Sequence, residues 1–494
     1  MIEVYVLKQP DLANFLGKRV TIFGANRSGT AIATLLHEQG AHITLTDRRD
    51  ANSLSDEIAQ LDDVPIQFYL GCHENACIAD AELIVVSPGV PLDLPILVAA
   101  KKRNIPILGE LEVSAYLCNA PIIAITGTKG KSTTTLLTAA ILKEHDKFSN
   151  VAVTGNIGVP LASKVSTLTS EDVAVVEASS FQLETTVTFK PDVSVVLNLS
   201  RDHLDRHKTM ASYFEAKKKI CQNQKQTDWL VLNANDEKVR SLTDCTHAKI
   251  AYFTDFPLAA NNEIKTFCKT LGSETYACLK NDSENNTGIY TFKNSKENWI
   301  CNIADVPLAG AHNIRNLLAA VVVGNIFGVK PETMKSAIRG FKRTHPALEH
   351  AYEKVCVING VDYINDSKAT NVISTCAALE SIESPTNSNC HARNVFLIMG
   401  GYDKGNDYTP LIELVRSKVK CLVLLGEHTK NIEMAFAGCA DMYHALTLNE
   451  AITFSFEHSI QGDVVLLSPA NASFDMFTDY KERGEVFKKI VNAL

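Results

Sequence analysis

This chain has no closely spaced cysteine pairs. Thirteen cysteines are scattered over 494 residues without one C-x-x-C, which excludes a disulfide framework or zinc knuckle and suits idle thiols in a reducing compartment. Basic excess is missing as well. Lys and Arg number 48 against 56 Asp and Glu, a formal net charge of −8, so neither nucleic acid nor an anionic membrane is an expected partner, although local basic pockets remain open. No apolar run reaches the ~18 residues of a membrane span. The opening MIEVYVLKQPDLANF has no basic segment followed by an apolar one, so no secretory signal is expected. A cytoplasmic protein follows from these absences. What is present is ordinary: 46% hydrophobic and 21% charged residues, in a chain too long for one core, so two to four domains are expected.

Strand–turn–helix patterns restart three times. The first, KRVTIFGANRSGTAIATLLHEQGAHITLTDRR, runs a β-branched strand (Val20–Phe23) into a glycine turn and helix, then a second strand ending at Asp47. That is a Rossmann-like start. Its glycines are spaced Gly24-x-x-x-x-Gly29 rather than G-x-G-x-x-G, which disfavours a dinucleotide and leaves another nucleotide-bearing ligand, with Asp47 placed to meet a ribose or base edge. LIVVSPGVPLD then brings a Ser87-Pro88-Gly89 turn to the mouth of the same parallel sheet. A second restart comes at PIIAITGTKGKSTTT, followed by the apolar strands VAVVEASS, VSVVLNLS and WLVLNAND. The polar stretch between about 255 and 300 reads as short antiparallel strands with exposed loops and no catalytic role. A third set, VFLIMGGYDKGNDYTPL and VVLLSPANASFDMF, follows residue 342. The expected architecture is α/β with three domains: a Rossmann-like unit over 1–119, a central P-loop ATPase-like unit over 120–341 and a C-terminal Rossmann-like α/β unit over 342–494.

Each unit carries a polar cluster at its strand ends. In AITGTKGKSTTTLLT, backbone N–H groups after Gly127 and the following helix N-terminus present partial positive charge to a phosphate. Lys131 adds a point charge, and Ser132 or Thr133 is a ligand for Mg²⁺. Only Thr128 and Lys129 separate Gly127 from Gly130, so the loop is a shortened form. A guanine-reading N-K-x-D is absent, which turns the reading away from a GTPase. Glu177 ends an apolar strand, where a buried carboxylate needs a cation; a helix-capping Ser179–Ser180 pair with surface carboxylates is the alternative. In NLSRDHLDRH, Asp202, His203, Asp205, Arg206 and His207 crowd one loop. Imidazole is an unusual Mg²⁺ ligand, so His203 on its own reads as structural. Lys217 lies on a helix that could return to this edge. A cationic amine there would repel Mg²⁺, whereas a carbamate on a neutral lysine would offer anionic oxygens; a plain surface lysine is the alternative.

TGTKGKSTT, EASSFQLE, NLSRDHLDRH, YFEAKKKI, GAHNIRN, INDSKATN, GGYDKGNDY and SPANASFDMFTDYKERG occur in the order and spacing of the Mur ligases, and the chain resembles that family over essentially its whole length. The resemblance implies an ATP-dependent amide-forming ligase of peptidoglycan precursor synthesis, acting through an acyl phosphate. The runs SSFQLE, DSKATN and SPANASFDMF are similar to those of the branch that adds D-glutamate to UDP-N-acetylmuramoyl-L-alanine. By resemblance, Arg27, Ser28, Asp47, Arg49, Ser87 and Asn156 bind the UDP-linked substrate. Gly127, Thr128, Lys129, Gly130, Lys131, Ser132 and Thr133 bind ATP phosphates, with Asn313 and Asn316 at adenine and Asp366 and Lys368 at the ribose and phosphates. Lys131, Glu177, His203 and Lys217 are the catalytic set. Two Mg²⁺ ions are implied, with ligands from Ser132, Glu177, His203 and Lys217, the last if carbamylated. Thr370, Lys404, Ser473, Phe474 and Tyr480 surround the incoming amino acid. A monomer with small-molecule partners only is expected.

Two departures from the family pattern stand out. Pro346 and Ala347 occupy the places of a His-Arg pair, with Arg343 or His345 as substitutes in a shifted register, and Lys129 stands where Asn is common. Rival readings are a relative with another amino-acid donor, an enzyme like folylpolyglutamate synthase, a nucleotide-binding regulatory protein or an NAD(P) oxidoreductase.

Overall fold

Runs of β-branched and aliphatic residues bounded by glycine, serine and aspartate build three sheets, all largely parallel. The computed structural model describes residues 12–256, 273–281, 286–294, 296–308, 310–341, 348–382, 393–402, 406–426 and 429–494. By contact density the chain divides into two units: 1–307 with 314–341, and 308–313 with 342–494.

The first unit holds two sheets. One contains β1 (Arg19–Phe23), β2 (His42–Asp47), β3 (Ile66–Leu70), β4 (Leu83–Val86) and β5 (Ile107–Gly109) in the order β3-β2-β1-β4-β5, with every pairing parallel. Val20–Phe23 and Leu83–Val86 are buried throughout, as strands covered on both faces should be. The chain leaves β1 toward β2 on one side and β4 on the other. This opens a crevice beyond its carboxyl end, where open α/β sheets bind ligands.

The other sheet has nine strands: β6 (Ile122–Thr126), β7 (Val151–Gly155), β8 (Val173–Glu177), β9 (Val193–Val196), β10 (Trp229–Asn233), β11 (Lys249–Thr254), β12 (Thr275–Asn281), β13 (Thr287–Lys293) and β14 (Lys296–Asn302). Their order, β14-β13-β12-β11-β10-β9-β6-β8-β7, puts β6 between β8 and β9. The ends of those three strands therefore converge at one edge. The polar stretch before residue 300 is only partly as expected. β13 and β14 are antiparallel, but β12 runs parallel to β11, and Thr275–Leu279 is buried. Tyr276 stacks on Phe292 at 4.5 Å, and these rings with Cys278 and Ile289 extend the core into a segment that reads as surface.

The second unit carries a six-stranded sheet of β15 (Glu353–Ile358), β16 (Val361–Asn365), β17 (Val395–Gly400), β18 (Val419–Leu425), β19 (Asp441–Ala445) and β20 (Val464–Ala470). The order is β15-β16-β20-β17-β18-β19, antiparallel only at β15. β16, β20 and β17 are neighbours, and their carboxyl ends lead into INDSKAT, SPANASF and GGY.

Candidate active site

β6 ends at Thr126, and the chain turns through Gly127–Gly130 into the helix Lys131–Lys143. Gly130 sits at φ +82, and a Cβ there would come within 2.1 Å of Asn316 Oδ1, so only glycine fits both the backbone and the space. The Lys131 ammonium folds over its own loop, donating to the carbonyls of Gly127 and Thr128 at 2.9 Å each. Asn198, after β9, brackets the next residue. Its Oδ1 accepts from the Lys129 N–H at 2.9 Å, and its Nδ2 donates to the Lys129 carbonyl at 3.0 Å. The Thr128 hydroxyl meets Tyr213 at 3.2 Å and accepts the Ser200 N–H at 3.0 Å. Ser132 and Thr133 lie half-buried in the first helical turn.

Around this loop the charged groups are unevenly compensated. Glu177, at the end of β8, is 1% exposed. Its Oε1 accepts from Asn156 Nδ2 at 2.9 Å, while Oε2 is buried with no partner among the described residues. Lys217, in the helix Met210–Lys218, is buried and donates to Thr126 Oγ1 at 3.2 Å and the Gly127 carbonyl at 2.9 Å. Burial and the neighbouring Lys131 push its amine well below the usual lysine range, against the pull of Asp202 and Glu177. His203 takes a left-handed backbone, φ +53, with Asp202 Oδ2 at 3.8 Å from Nε2. Burial depresses its imidazole despite Asp202, with Lys131, Lys129 and Lys217 adding to the effect. For Asp202, burial works the other way, but Lys129, His203 and Lys131 together hold its carboxyl below the usual range. The Asp205 side chain lies outside the described residues. Glu177, with one orphaned buried oxygen, and the Ser132 hydroxyl are oxygen donors of the kind a hard divalent cation takes, whereas the His203 imidazole and the unmodified Lys217 amine are nitrogen donors that Mg²⁺ takes poorly.

The crevice of the first sheet is a cavity of about 780 Å³ lined in part by Arg27, Ser28, Asp47, Arg49, Ser87 and Asn156. All six expected substrate residues thus meet at one cavity. Arg27 and Ser28 are not turn residues but open the helix Arg27–Glu38, and the Arg27 guanidinium donates to the Gly158 carbonyl. Asp47 has a role within the protein that its strand-end position did not reveal. It accepts the Ala25 N–H at 2.8 Å and the Arg49 N–H at 2.9 Å. Burial would raise its carboxyl, yet bonds from Arg49 and Ala25 hold it below the usual range. Ser87 Oγ donates to the Gly24 carbonyl at 3.0 Å and closes the turn. Gln182, Asn26 and His73 also line the cavity and had no assigned role in the sequence. Asn156 joins the cavity to the loop cluster, since its backbone N–H also donates to the Glu177 carbonyl at 2.9 Å.

In the second unit, Asp366 follows β16 and accepts from Ser468 Oγ at 2.8 Å and the Tyr352 N–H at 2.9 Å. Lys368 and Thr370 are half-buried beside it, Ser473 is buried, and Phe474 is 68% exposed. Tyr480 begins the helix Tyr480–Val491, and its carbonyl accepts from Ser367 Oγ at 2.8 Å. Arg483 binds this edge together. It is 1% exposed and donates to Ser367 Oγ at 3.0 Å, the Ser367 carbonyl at 2.9 Å and the Asn471 carbonyl at 3.3 Å. Burial pulls its guanidinium down to about 10. Asn313 and Asn316 both lie on the helix Ala311–Phe327. Lys404, Arg343, His345, Pro346 and Ala347 lie outside the described residues.

A glycine–lysine loop at the edge of a parallel sheet, beside a Rossmann-like sheet with its own crevice, defines a nucleotide-binding α/β protein of several domains. Family models match three successive segments: the Mur ligase MurD-like N-terminal domain over 18–109, the Mur ligase middle domain over 125–324 and the Mur ligase glutamate ligase domain over 352–471. The chain belongs to the Mur ligase family. It is 39% identical over 480 residues to the UDP-N-acetylmuramoylalanine–D-glutamate ligase of Koribacter versatilis, covering 97% of this chain and 98% of that one. The ligase of the same name from Clostridioides difficile is 39% identical over 484 residues, 97% and 99% of the two chains. In fold it is similar to the MurF ligase of Thermotoga maritima solved with ADP, with a TM-score of 0.57 at 14% identity over 98% of this chain and 97% of that one.

Proposed function

We propose that this protein is an ATP-dependent ligase that joins D-glutamate to UDP-N-acetylmuramoyl-L-alanine through an acyl phosphate, in the cytoplasm and as a monomer. The observation that carries the chemistry is the convergence of the Lys131 loop, the half-satisfied Glu177 and the buried Lys217 on the end of β6. The D-glutamate donor rests on the similarity to the two relatives, which runs nearly end to end.

A carboxylate is a poor electrophile until its oxygen becomes a phosphate leaving group. Donor and acceptor are both anions, so the barrier to phosphoryl transfer is largely electrostatic. Lys131 and the N–H groups of Gly127–Ser132 hold the ATP phosphates, with Asn313 and Asn316 toward adenine and Asp366 and Lys368 toward the ribose and phosphates. Ser132 and Glu177 would hold one Mg²⁺ and His203 with a carbamylated Lys217 a second, and such ions would supply the charge neutralisation that lets two anions meet. A neutral Lys217 amine is the form that reacts with CO₂, and Thr126 and Gly127 fix its position. Arg27, Ser28, Asp47, Arg49 and Ser87 hold the UDP moiety, and Asn156 directs the alanyl end toward Glu177. The D-glutamate amine then attacks the acyl carbonyl and phosphate departs. Thr370, Ser473 and Lys404 bond the glutamate carboxylates, with Phe474 and Tyr480 beside them. Whether Arg343 or His345 replaces the missing His-Arg contact is read from ATP binding of their alanine variants.

The test is a donor panel. Purified protein with the UDP-linked alanyl acid, ATP and either D-Glu, L-Ala, meso-diaminopimelate or L-Glu, with and without Mg²⁺, should release phosphate and yield one new product mass with D-Glu and Mg²⁺ alone. Release with another donor reassigns the substrate. Release with none of them removes the ligase reading.

A further inference from the structure

Glu110 opens the helix Glu110–Leu117 beside the substrate cavity, and the reaction above makes no use of it. It is 2% exposed. One oxygen, Oε1, accepts from Gln182 Nε2 at 3.0 Å. The other, Oε2, is buried with no hydrogen-bond partner among the described residues. Gln182 lines the cavity, and its orientation is fixed from the opposite end. Its Oε1 accepts both the backbone N–H and the hydroxyl of Ser179 at 3.0 Å, as part of the capping box that starts the helix Ser180–Glu184. The oxygen of the carboxamide therefore faces Ser179 and the NH₂ faces Glu110. Glu110 takes one of the two amide hydrogens. Ser28, also on the cavity wall, lowers the same carboxyl without a hydrogen bond to Oε2. Burial raises that carboxyl to about 7, partly offset by Gln182 and Ser28, and no charged side chain contributes.

We infer that Glu110 is a positioning residue for the UDP-linked substrate: it ties Gln182 to the wall that carries Ser28 and so aims the remaining carboxamide N–H of Gln182 at an acceptor oxygen of the ligand. This inference rests on the proposed function for the identity of that ligand. Removing the anchor lets the amide swing away from the cavity, while a glutamine in its place keeps an acceptor for Gln182 and a donor where the acid proton was.

The experiment compares wild type, Glu110→Gln and Glu110→Ala, measuring calorimetric affinity for the UDP-linked alanyl acid and, separately, for a non-hydrolysable ATP analogue. Glu110→Ala should weaken the UDP ligand about tenfold, the equivalent of one lost oriented hydrogen bond, and leave the ATP analogue unchanged. Glu110→Gln should stay within about twofold of wild type for both ligands. A second readout needs no ligand. The folded protein holds a proton on Glu110 between the ordinary carboxyl range and about pH 7, so folding loses stability as pH rises through that window. Glu110→Gln should therefore melt higher than wild type at about pH 8.5 and not at about pH 5. Unchanged UDP-ligand affinity in Glu110→Ala overturns the inference, as does equal weakening of both ligands or failure of Glu110→Gln to rescue. A wild type that binds the ATP analogue but not the UDP ligand sinks the proposed function first, and this inference falls with it.

Discussion

The Lys217 amine has left water for a site where it donates to a threonine hydroxyl and a backbone carbonyl, with Lys131 close enough to repel its charge. Burial and the nearby Lys131 both favour the neutral form of this amine. A neutral amine is nucleophilic toward CO₂, and the proposed carbamate, formed with release of one proton, would place an anion beside Lys131. Activity in carefully degassed, bicarbonate-free buffer should fall and return on adding bicarbonate, with a carbamate carbon resonance appearing when the bicarbonate is ¹³C-labelled. Lys217→Ala should lower kcat by roughly 10²–10³, the size expected for one lost electrostatic contributor. Full activity in the absence of CO₂, with no labelled carbon on the protein, would show that the amine acts unmodified. Glu177 makes the complementary case. Its free oxygen is buried next to a bonded one, so Glu177→Gln leaves the Asn156 contact possible while removing the charge. The Mg²⁺ concentration for half-maximal phosphate release should rise by at least tenfold, the equivalent of one charge-assisted contact; an unchanged Mg²⁺ requirement would place the cation elsewhere.

At the scale of elements, stability near the site depends on how helices and turns are fastened. Glu112 lies two residues past Glu110, is 1% exposed, and accepts from the N–H groups of Val187, Thr188 and Phe189 and from the Thr188 hydroxyl. It thus clamps the loop before β9 onto the helix that follows β5. Replacing it with alanine removes the acceptor of three N–H donors, of which only that of Phe189 is on a buried residue, a loss of about 1–3 kcal/mol, and should lower the urea midpoint. Glu112→Gln, which points an NH₂ at N–H donors, should recover little of it. A midpoint within error of wild type would mean the loop finds other acceptors. Gly130→Ala tests the turn: a side chain at φ +82 that also meets Asn316 should abolish binding of the ATP analogue with little effect on the UDP ligand.

These elements also explain what could be read from sequence. The phosphate loop was legible because strand, glycine turn, lysine and hydroxyl are contiguous, so Lys131 and Ser132 needed no tertiary information. Glu177 was legible as a buried carboxylate at a strand end, since it closes β8 beside β6, whereas His203, well beyond the end of β9, read as structural on its own and gained a role only through the resemblance. Asn198, Gln182, Glu110 and Arg483 were not, because their meaning depends on partners tens to over a hundred residues away. In one dimension a buried carboxylate looks like a surface one. Asp47 shows the converse, since its strand-end position pointed to a ligand and the structure adds a bond to the turn at Ala25. Strands were expected before residue 300, but the burial of Tyr276, Cys278, Ile289 and Phe292 was not, because polar neighbours diluted their period.

Taken whole, a chain with a net charge of −8 is proposed to gather three anionic ligands, and its net charge is not what draws them in. Each must be held by short-range donors in its own place: the cavity of the first sheet for the UDP substrate, the Lys131 loop for ATP, and the strand-end edge around Ser367, Asn471 and Arg483 for the amino acid. Hydrogen exchange separates these places, because a ligand protects the amides it binds and the elements it stabilises. The UDP-linked acid added alone should slow exchange at 24–28, 47–49, 87–91 and 155–156. A non-hydrolysable ATP analogue with Mg²⁺ should slow 127–133 and 198–203. D-glutamate, added at saturation, should slow 366–371 and 471–474. If D-glutamate instead protects 24–49, or protects nothing at any concentration, the edge of the second unit is not the amino-acid site and Thr370, Ser473, Phe474 and Tyr480 lose their proposed roles. Protection of all three regions by the nucleotide alone would mean that binding in the first unit orders the second, and the ligands would then be energetically coupled by that ordering.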